Sequence, residues 1–378
     1  MTPREHEPLA SHCTLGVGGP ARFFTDAHDE ADVLAAWAWA RARGIPLRIL
    51  GGGSNLVVAD EGVDGLVVRI GLRGLSAVAV GSAVELTAGA GEPWDAVVRH
   101  AVERGWAGLE CLSGIPGLTG ATPIQNVGAY GQEVSDTITA VRALHRERGA
   151  VVTLTAADCA FAYRDSMLKS GAPDRYAVLA VTYRLEPDGR PRVRYADLEQ
   201  HLAARGVATP SLAEVRASIL DIRRGKSMVL DPDDPNRRSC GSFFLNPIVW
   251  PEEAGRIEAR SGDAAMPRWR QTDGRIKLAA GWLIERAGFA RGTRARSGGL
   301  VDPPLPGHRL PRRGPGARRA GLRGEDSRPG GRALRRPPGS RAGILARRRL
   351  DTVRRDCLES LECCLHPAKR KISLAGSK

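Results

Sequence analysis

Small, uncharged residues are concentrated between Cys111 and Gly131, in the stretch CLSGIPGLTGATPIQNVGAYG. Glycine lacks the Cβ that disfavours positive φ, so its backbone can turn sharply or come close to a ligand. Backbone amides exposed in this way bind phosphate or carbonyl oxygens. The stretch therefore predicts either a loop that holds an anionic ligand or a set of tight turns between strands.

Another glycine cluster, Ile49–Asp60, reads ILGGGSNLVVAD; in chain order it is the first glycine cluster, and Cys111–Gly131 is the second glycine stretch. The apolar run Pro46–Leu50 predicts a buried strand, and LVVA after the glycines predicts another. The cluster has neither the G-x-G-x-x-G spacing of a dinucleotide-binding helix nor the Lys-Ser/Thr of a P-loop. An anion here would therefore contact loop amides and not a helix N-terminus.

Three polar side chains in the sequence could take part in chemistry. Arg164, in YRDS, carries a permanent planar charge, but an Arg-Asp pair also forms a structural salt bridge at many strand ends. Ser242 has no His and Asp nearby in sequence, a context in which serine usually serves a turn or cap. Lys226 ends a predicted helix, where a cation also offsets the helix dipole.

Amphipathic helices and strands alternate around these residues. Residues 29–44 predict a helix that begins with acids and ends with arginines and Gly44. Further strands are predicted at Val63–Ile70 and Ala77–Leu86, and strands around a short helix with Asp158 between Thr137 and Leu185. Other helices are predicted at Pro93–Gly105, Leu212–Lys226 and Lys277–Phe289. The pattern predicts an α+β protein with two mixed lobes and glycine clusters lining the cleft between them.

The chain has 378 residues, which is enough for two or three domains with their own cores. Its seven cysteines are scattered without the paired spacing of a zinc site, so we expect reduced thiols and no metal. The first residues lack the apolar region of a signal peptide, and no long apolar run follows. These features predict a cytoplasmic protein without a membrane span.

The net positive charge of the chain comes entirely from the last quarter of the sequence. The formal net charge is +14, but residues 291–378 carry 23 Lys and Arg against 7 Asp and Glu, and residues 1–290 carry 33 against 35. The last segment contains twenty Arg, thirteen Gly and nine Pro, a composition typical of disorder. A nucleic-acid-binding function would rest on this tail alone, and the tail lacks the aromatic residues that stack on bases.

Six motifs, spanning roughly residues 10–292, together resemble the UDP-N-acetylenolpyruvoylglucosamine reductase family. They are TLGVGG (Thr14–Gly19), GGGSNL (Gly51–Leu56), IPGLTGATPIQNVGAYG (Ile115–Gly131), YRDS (Tyr163–Ser166), GSFFLNP (Gly241–Pro247) and KLAAGWLIERAGF (Lys277–Phe289).

The resemblance implies a two-lobed FAD-binding fold of the vanillyl-alcohol-oxidase/PCMH type and a third α+β lobe that binds a UDP-sugar. The expected domains are 1–72 and 73–228 for FAD, 229–292 for substrate, and 293–378 as the aberrant tail. The implied reaction is the reduction of UDP-N-acetylglucosamine enolpyruvate to UDP-N-acetylmuramate, with FAD as cofactor and NADPH as co-substrate, in peptidoglycan precursor synthesis. The sequence does not predict an oligomeric state.

The resemblance also assigns roles to individual residues. Arg164 would contact the enolpyruvyl carboxylate, and Ser242 would donate a proton to the carbon next to the one that receives hydride. Tyr195, Lys226 and Asn246 would bind the substrate. The FAD-binding residues would be Gly51, Gly52, Gly53, Ser54, Asn55, Leu56, Ile115, Pro116, Gly117, Gly120, Ala121, Pro123, Gln125, Asn126, Gly128, Ala129, Tyr130 and Gly131.

The sequence departs from the family after about Thr293. With G+C-rich codons, the neighbouring reading frame of residues 301–313 and 333–345 permits a strand and an acidic segment like those of the family. This predicts a frameshift between about Gly292 and Leu300, with the family's catalytic glutamate lost at the Arg341/Ala342 codons and activity weakened. The alternatives are an inactive flavin fold with a basic nucleic-acid-binding tail, or another oxidase of the same fold, which the pair of Arg164 and Ser242 fits poorly.

Overall fold

The computed structural model describes residues 1–239, 241, 244–263 and 265–289. Residues 1–241 fall in one compact unit and residues 244–289 in another. The predicted frameshift, the missing glutamate and the basic tail lie outside the described residues. The finer division at residues 72, 228 and 292 stays a prediction.

The first sheet of the larger unit is mixed and has four strands in the order β1-β2-β4-β3. β1 pairs with β2 antiparallel, whereas β2 and β3 both run parallel to β4. Helix α1 follows β2, and its first turn is capped by Asp29, whose carboxylate accepts the Asp32 amide at 2.8 Å. The elements are β1 (Arg4–Pro8), β2 (Pro20–Ala27), α1 (Glu30–Ala42), β3 (Leu47–Leu50) and β4 (Val63–Ile70).

The second sheet is antiparallel and places its strands in the order β11-β10-β12-β6-β5, with β7 paired to the end of β12. A separate two-stranded hairpin, β8–β9, begins at the end of the second glycine stretch and extends two residues beyond it. The elements are β5 (Leu75–Val80), β6 (Ala83–Gly89), α2 (Trp94–Glu103), β7 (Trp106–Ala107), β8 (Gly128–Ala129), β9 (Gln132–Glu133), β10 (Ile138–His145), β11 (Ala150–Thr155) and β12 (Tyr176–Pro187).

One apolar core joins these two sheets. It contains side chains from α1, β4, β6, α2, β10 and β12, among them Trp94, which is 1% exposed. Burial of this much apolar surface is the main favourable contribution to folding. The glycine loops that connect the strands are therefore held at the edge of a rigid scaffold.

Helices α3 (Ala196–Ala204) and α4 (Leu212–Gly225) pack together through a smaller apolar cluster. Arg216 of α4 forms a bidentate ion pair with Asp95 of α2 at 2.7 and 2.8 Å. Asp95 also accepts the Gly114 amide at 2.6 Å, and buried Arg223 donates to the Gly114 carbonyl at 3.2 Å. The start of the second glycine stretch is thus held by α2 on one side and α4 on the other.

The smaller unit has a three-stranded antiparallel sheet in the order β13-β15-β14 and two helices. Its core contains Val249, Ala254, Met266, Ile276 and Leu278. The elements are β13 (Ile248–Val249), α5 (Pro251–Ser261), β14 (Arg268–Arg270), β15 (Ile276–Leu278) and α6 (Ala280–Arg286).

The α+β class and the helices predicted at residues 29–44, 93–105 and 212–226 are confirmed. The single strand predicted at residues 77–86 is wrong, because Gly81 turns the chain at φ +61° into the hairpin β5–β6. The strand predicted for LVVA is also wrong, because the Ala59 carbonyl accepts the Gly19 and Gly62 amides of a turn.

Two predicted helix positions differ as well. Asp158 lies in a turn, where its carboxylate accepts the Thr155 amide at 2.8 Å. Residues 277 and 278 belong to β15, and the last helix begins only at Ala280, whose amide is bonded by the Asn246 side chain. The turn at Asp158 is set by its side-chain contact, and residues 277 and 278 are in a strand because β15 pairs with β13 and β14; local periodicity reports neither.

Substitution of Gly53 by alanine tests how strictly the first glycine loop is constrained. Gly53 has φ +64°, and a Cβ there would lie 2.0 Å from the His12 carbonyl oxygen, whereas Gly44, at φ +62°, has no atom within 4 Å of the same position. Gly44→Ala should lower the free energy of unfolding by about 1–2 kcal/mol, the usual cost of a left-handed alanine. Gly53→Ala should lower the free energy of unfolding by about 1–3 kcal/mol more than Gly44→Ala does, because the His12 backbone must move. Urea unfolding measures both, and equal losses would contradict the close contact.

Asp95 should make stability depend on pH. Burial raises its pKa, but Arg216 and the Gly114 amide outweigh this and lower the pKa below the ordinary 3.8. The unfolded chain therefore takes up the proton first, so the ion pair stabilises the fold fully above about pH 5 and loses this contribution as pH falls through the lowered value. The stability difference between wild type and Asp95→Asn should shrink between about pH 5 and pH 3.

Asp64→Asn is the matched control for Asp95, because Asp64 pairs with Arg22 while remaining 83% exposed. Exposed pairs contribute little, so this variant should follow the wild-type pH profile. A constant stability difference for Asp95→Asn across the same pH range would show that the carboxylate charge is not what stabilises this contact.

Candidate functional site

The two glycine clusters predicted from the sequence lie side by side. A Cβ on Gly52 would be 3.2 Å from the Gly117 Cα, and a Cβ on Gly117, at φ +115°, would be 3.1 Å from the Ser54 Oγ. Asn55 Nδ2 donates to Gln125 Oε1 at 3.3 Å, which joins the two loops again. As predicted, the first cluster is a loop after β3 that does not open a helix.

The second stretch is fixed to the scaffold along its length. Gly120 donates its amide to the Ala90 carbonyl at 2.9 Å, and a Cβ on Gly120 would lie 2.7 Å from the Ala90 Cβ. Gly120 and Ala121 form a short 3-10 helix, Ile115 and Pro116 precede it, and Pro123 and Gln125 lie in the turn after it. Leu56, at the end of the first cluster, packs against the apolar cluster around Phe24.

A cavity of about 630 Å³ opens beside Gly51 and Gly52, at the carboxyl ends of β2, β3 and β4. Its other walls include residues 11–14, Arg69 near the end of β4, and Arg73 in the segment after β4. Arg69 is paired with Asp26, and Arg73 with Glu92. Neither arginine was predicted from the sequence. Their position at and just after the end of a buried strand was the available signal, because ligands of parallel sheets bind at the carboxyl ends of strands.

Arg164 lies against the second glycine stretch. Its Nη1 donates to the Asn126 carbonyl at 3.3 Å and to Glu133 Oε1 at 3.5 Å, and its Nη2 donates to the Gly128 carbonyl. The alternative salt bridge to Asp165 is absent here, because that carboxylate accepts from the Ser166 amide and the Ser170 hydroxyl. The guanidinium therefore contacts the glycine-rich stretch, and its ion pair is with Glu133 at the end of β9 and not with Asp165.

Three non-glycine residues of this region have left-handed backbones: Asn126 at φ +44°, Tyr130 at +48° and Arg164 at +55°. Such conformations cost free energy and persist only where surrounding contacts enforce them. Tyr130 and Gly131 form the turn of the β8–β9 hairpin, whose Gly128 and Ala129 face Glu133 and Gln132.

A buried carboxylate fixes this hairpin to the start of the stretch. Glu110 is fully buried and accepts the Gly108 amide at 2.8 Å and the Arg192 amide at 3.0 Å. Gln132 of β9 donates to Glu110 at 3.4 Å and accepts the Cys111 amide at 3.0 Å. Because each of these polar groups is bonded inside the protein, the hairpin has little freedom to move.

Tyr195 and Lys226, both predicted to bind substrate, lie near the same hairpin. The Tyr130 and Tyr195 rings meet edge to face with centroids 5.6 Å apart, and Tyr195 remains 42% exposed. Lys226 Nζ contacts Asp197 Oδ2 at 2.9 Å. Burial raises the pKa of Tyr130, and the nearby Arg223 and Lys226 oppose that rise. Two predicted substrate residues and one predicted FAD residue are thus neighbours.

The remaining predicted residues lie elsewhere. Asn246 belongs to the smaller unit, where its Oδ1 accepts the Ala280 amide at 2.9 Å in the first turn of α6. Ser242 lies outside the described residues, so its predicted role as proton donor stays a prediction.

Within the part of the chain that the structure describes, no group of three His, Cys, Asp or Glu side chains is arranged to hold a metal. Over the same residues, no helix has both the length and the apolar character needed to cross a membrane. Cys13, Cys111 and Cys159 are free and buried, and burial raises the pKa of Cys111 to about 12 and that of Cys159 to about 11.

Residues 21–155 match a family model described as an FAD binding domain. This match confirms the FAD-binding fold predicted from the sequence. A solved UDP-N-acetylenolpyruvylglucosamine reductase (MurB) from Thermus caldophilus is 26% identical, with a TM-score of 0.45, over 73% of this chain and 88% of that one.

Two curated relatives are closer in sequence, and both are named UDP-N-acetylenolpyruvoylglucosamine reductase. The protein from Saccharopolyspora erythraea is 50% identical over 298 residues, which is 77% of this chain and 81% of the relative. The protein from Thermobifida fusca is 44% identical over 292 residues, which is 75% of this chain and 82% of the relative. The chain therefore belongs to the UDP-N-acetylenolpyruvoylglucosamine reductase family.

Proposed function

We propose that this chain binds FAD and uses NADPH to reduce UDP-N-acetylglucosamine enolpyruvate to UDP-N-acetylmuramate, a step of peptidoglycan precursor synthesis. One observation carries the proposal: the Arg164 guanidinium donates to the carbonyls of Asn126 and Gly128 within the glycine-rich stretch. A carboxylate bound by Arg164 would therefore lie beside the residues proposed to hold the flavin.

The shape of the glycine loops fits a large flat cofactor with a diphosphate. At Gly52, Gly117 and Gly120 a Cβ would contact a neighbouring loop or the scaffold at 3.2 Å or less, so the loops pack with bare backbone edges. A loop whose glycines have no side chains can bring backbone amides close to phosphate and leave room beside it for a ring system. When bound, FAD would accept a hydride from NADPH and deliver it to the enolpyruvyl double bond.

Arg164 is suited to binding the enolpyruvyl carboxylate. A guanidinium has five N–H groups, and three hydrogen bonds to described residues, to Asn126, Glu133 and Gly128, engage Nη1 and Nη2. Among the described residues, the Nε N–H donates to no acceptor, so it is available to a ligand. A carboxylate there would gain charge-assisted hydrogen bonds, which strengthen as negative charge develops on the substrate during hydride addition.

The other roles in this proposal rest on the family. Tyr195 and Lys226 would bind the substrate's diphosphate, which their position near Tyr130 and the partial exposure of both side chains allow. Ser242 would give a proton to the carbon next to the one that receives hydride. Asn246 would contact the substrate, in addition to its bond to Ala280.

We also propose that the enzyme works in the cytoplasm, because three described cysteines are free thiols. Reduced cysteines are typical of that compartment.

The direct test follows the absorbance of the flavin bound to the purified full-length chain. The proposal predicts a yellow protein whose bound flavin is bleached by NADPH under anaerobic conditions and recovers its colour when UDP-N-acetylglucosamine enolpyruvate is added. A colourless protein that does not take up FAD would contradict the proposal, and so would recovery of colour at the same rate without the substrate.

Arg164→Lys keeps a positive charge but loses the planar fork. We expect the second half-reaction, in which substrate reoxidises the flavin, to slow by about 100-fold, the usual cost of removing one preorganised donor. Reduction of the flavin by NADPH should change little. Arg142→Lys is the matched control, since Arg142 pairs with Glu30 at 2.6 Å away from the glycine loops. Equal effects of the two substitutions on the second half-reaction would contradict the role of Arg164.

The reading-frame hypothesis makes a separate prediction about turnover. A version of the chain translated in the neighbouring frame from about residue 292 regains the family's glutamate, and we expect it to turn over about 10²–10⁴-fold faster than the chain as printed. A chain ended at residue 292 controls for loss of the basic tail alone. Equal turnover of the printed and reframed chains would show that no catalytic group was lost.

A further inference from the structure

Glu133 joins Arg164 to the framework of the site. It ends β9 opposite Gly128, and its two carboxylate oxygens have different partners. Oε2 accepts Asn126 Nδ2 at 2.8 Å, and Oε1 accepts Arg164 Nη1 at 3.5 Å. One carboxylate therefore connects a buried amide to the arginine proposed to bind substrate.

The Asn126 end of this connection cannot move easily. Asn126 is 1% exposed, its Nδ2 also donates to the Ala162 carbonyl at 3.1 Å, and its Oδ1 accepts the Ser135 amide at 3.1 Å. The Glu133 backbone is tied as well, because its amide donates to Asp136 at 3.2 Å. The carboxylate is thus held at both its backbone and its tip.

The Arg164 end is the part that needs such support. An arginine side chain loses rotamer entropy when it is fixed in one orientation. Its two carbonyl partners, on Asn126 and Gly128, are neutral, and Glu133 is its charged partner among the described residues. A charge-assisted bond is about twice as strong as a neutral one, so Glu133 is well suited to set the plane of the guanidinium.

Occupation of Nη1 also directs where a ligand binds. Glu133 and Asn126 together take the Nη1 side of the guanidinium. An incoming carboxylate is therefore directed to the opposite edge, which carries Nε. We infer that Glu133 is a positioning residue of the reductase reaction, which holds Arg164 so that the Nε edge faces the enolpyruvyl carboxylate. This inference rests on the proposed function.

Glu133→Gln tests the inference with almost no change of shape. The amide oxygen can still accept from Asn126, but the amide nitrogen then meets Nη1, and two donors face each other. The equilibrium dissociation constant for UDP-N-acetylglucosamine enolpyruvate, read from the absorbance change of bound flavin, should rise about 10- to 100-fold, the cost of one hydrogen bond to a charged group. The second half-reaction should slow, while FAD affinity and reduction by NADPH change less than about twofold.

Two comparisons separate positioning from general structural damage. Glu30→Gln breaks the bidentate pair with Arg142, at 2.6 and 2.9 Å, and should leave substrate binding unchanged. In the Arg164→Lys background, Glu133→Gln should add little, because residues that act through one another are not additive. The inference would be overturned if the effects of the two substitutions were additive in the double variant. It would also be overturned if Glu133→Gln weakened FAD binding as much as substrate binding, or if it left the substrate dissociation constant unchanged.

The outcomes also separate this inference from the function on which it rests. If the wild-type chain binds and reduces the substrate while Glu133→Gln matches it, only the positioning role is overturned. If the wild-type chain holds FAD but neither binds nor reduces the substrate, the proposed function fails and the inference fails with it.

Discussion

The site depends on close packing between two backbone loops that have no side chains to separate them. Gly52 lies against Gly117, and Gly53 lies against the His12 carbonyl. Any Cβ at Gly53 would meet backbone atoms, which cannot rotate away as a side chain can. The loops are kept in contact by a shared core on one side and by the bonds from Asp95 and Arg223 to Gly114 on the other. This contact sets the position of the two loops relative to each other.

Arg164 depends on that arrangement. Its acceptors are carbonyls of the second glycine stretch and the carboxylate of the hairpin that ends the stretch. The left-handed backbones of Asn126, Tyr130 and Arg164 are costly, and the surrounding hydrogen bonds enforce them. These backbone conformations lower the stability of the fold, and they fix a cation beside the loops that we propose to hold the flavin.

The sequence predicted the parts of the site that depend on local composition. The glycine clusters, the strand Val63–Ile70 and three amphipathic helices are confirmed, because glycine content and periodicity report them directly. Contacts between separate segments were missed, namely Glu133 to Asn126 and Arg164, and Glu110 to Gln132. The two cavity arginines, Arg69 at the end of β4 and Arg73 after it, were missed as well. The partners in the missed contacts lie far apart in sequence or depend on a turn whose geometry the residue types do not define. The LVVA error has the same origin, since a turn took the backbone bonds that a strand would need.

The central claim is that one arginine, held by the glycine stretch and Glu133, binds the substrate carboxylate beside the flavin. The most direct measurement is a crystal structure of the full-length chain with FAD and UDP-N-acetylglucosamine enolpyruvate. The account predicts that the carboxylate accepts from the Nε edge of Arg164 while the bonds to Asn126, Gly128 and Glu133 remain. A carboxylate bound by other residues, or an Arg164 that has left its three partners, would contradict it.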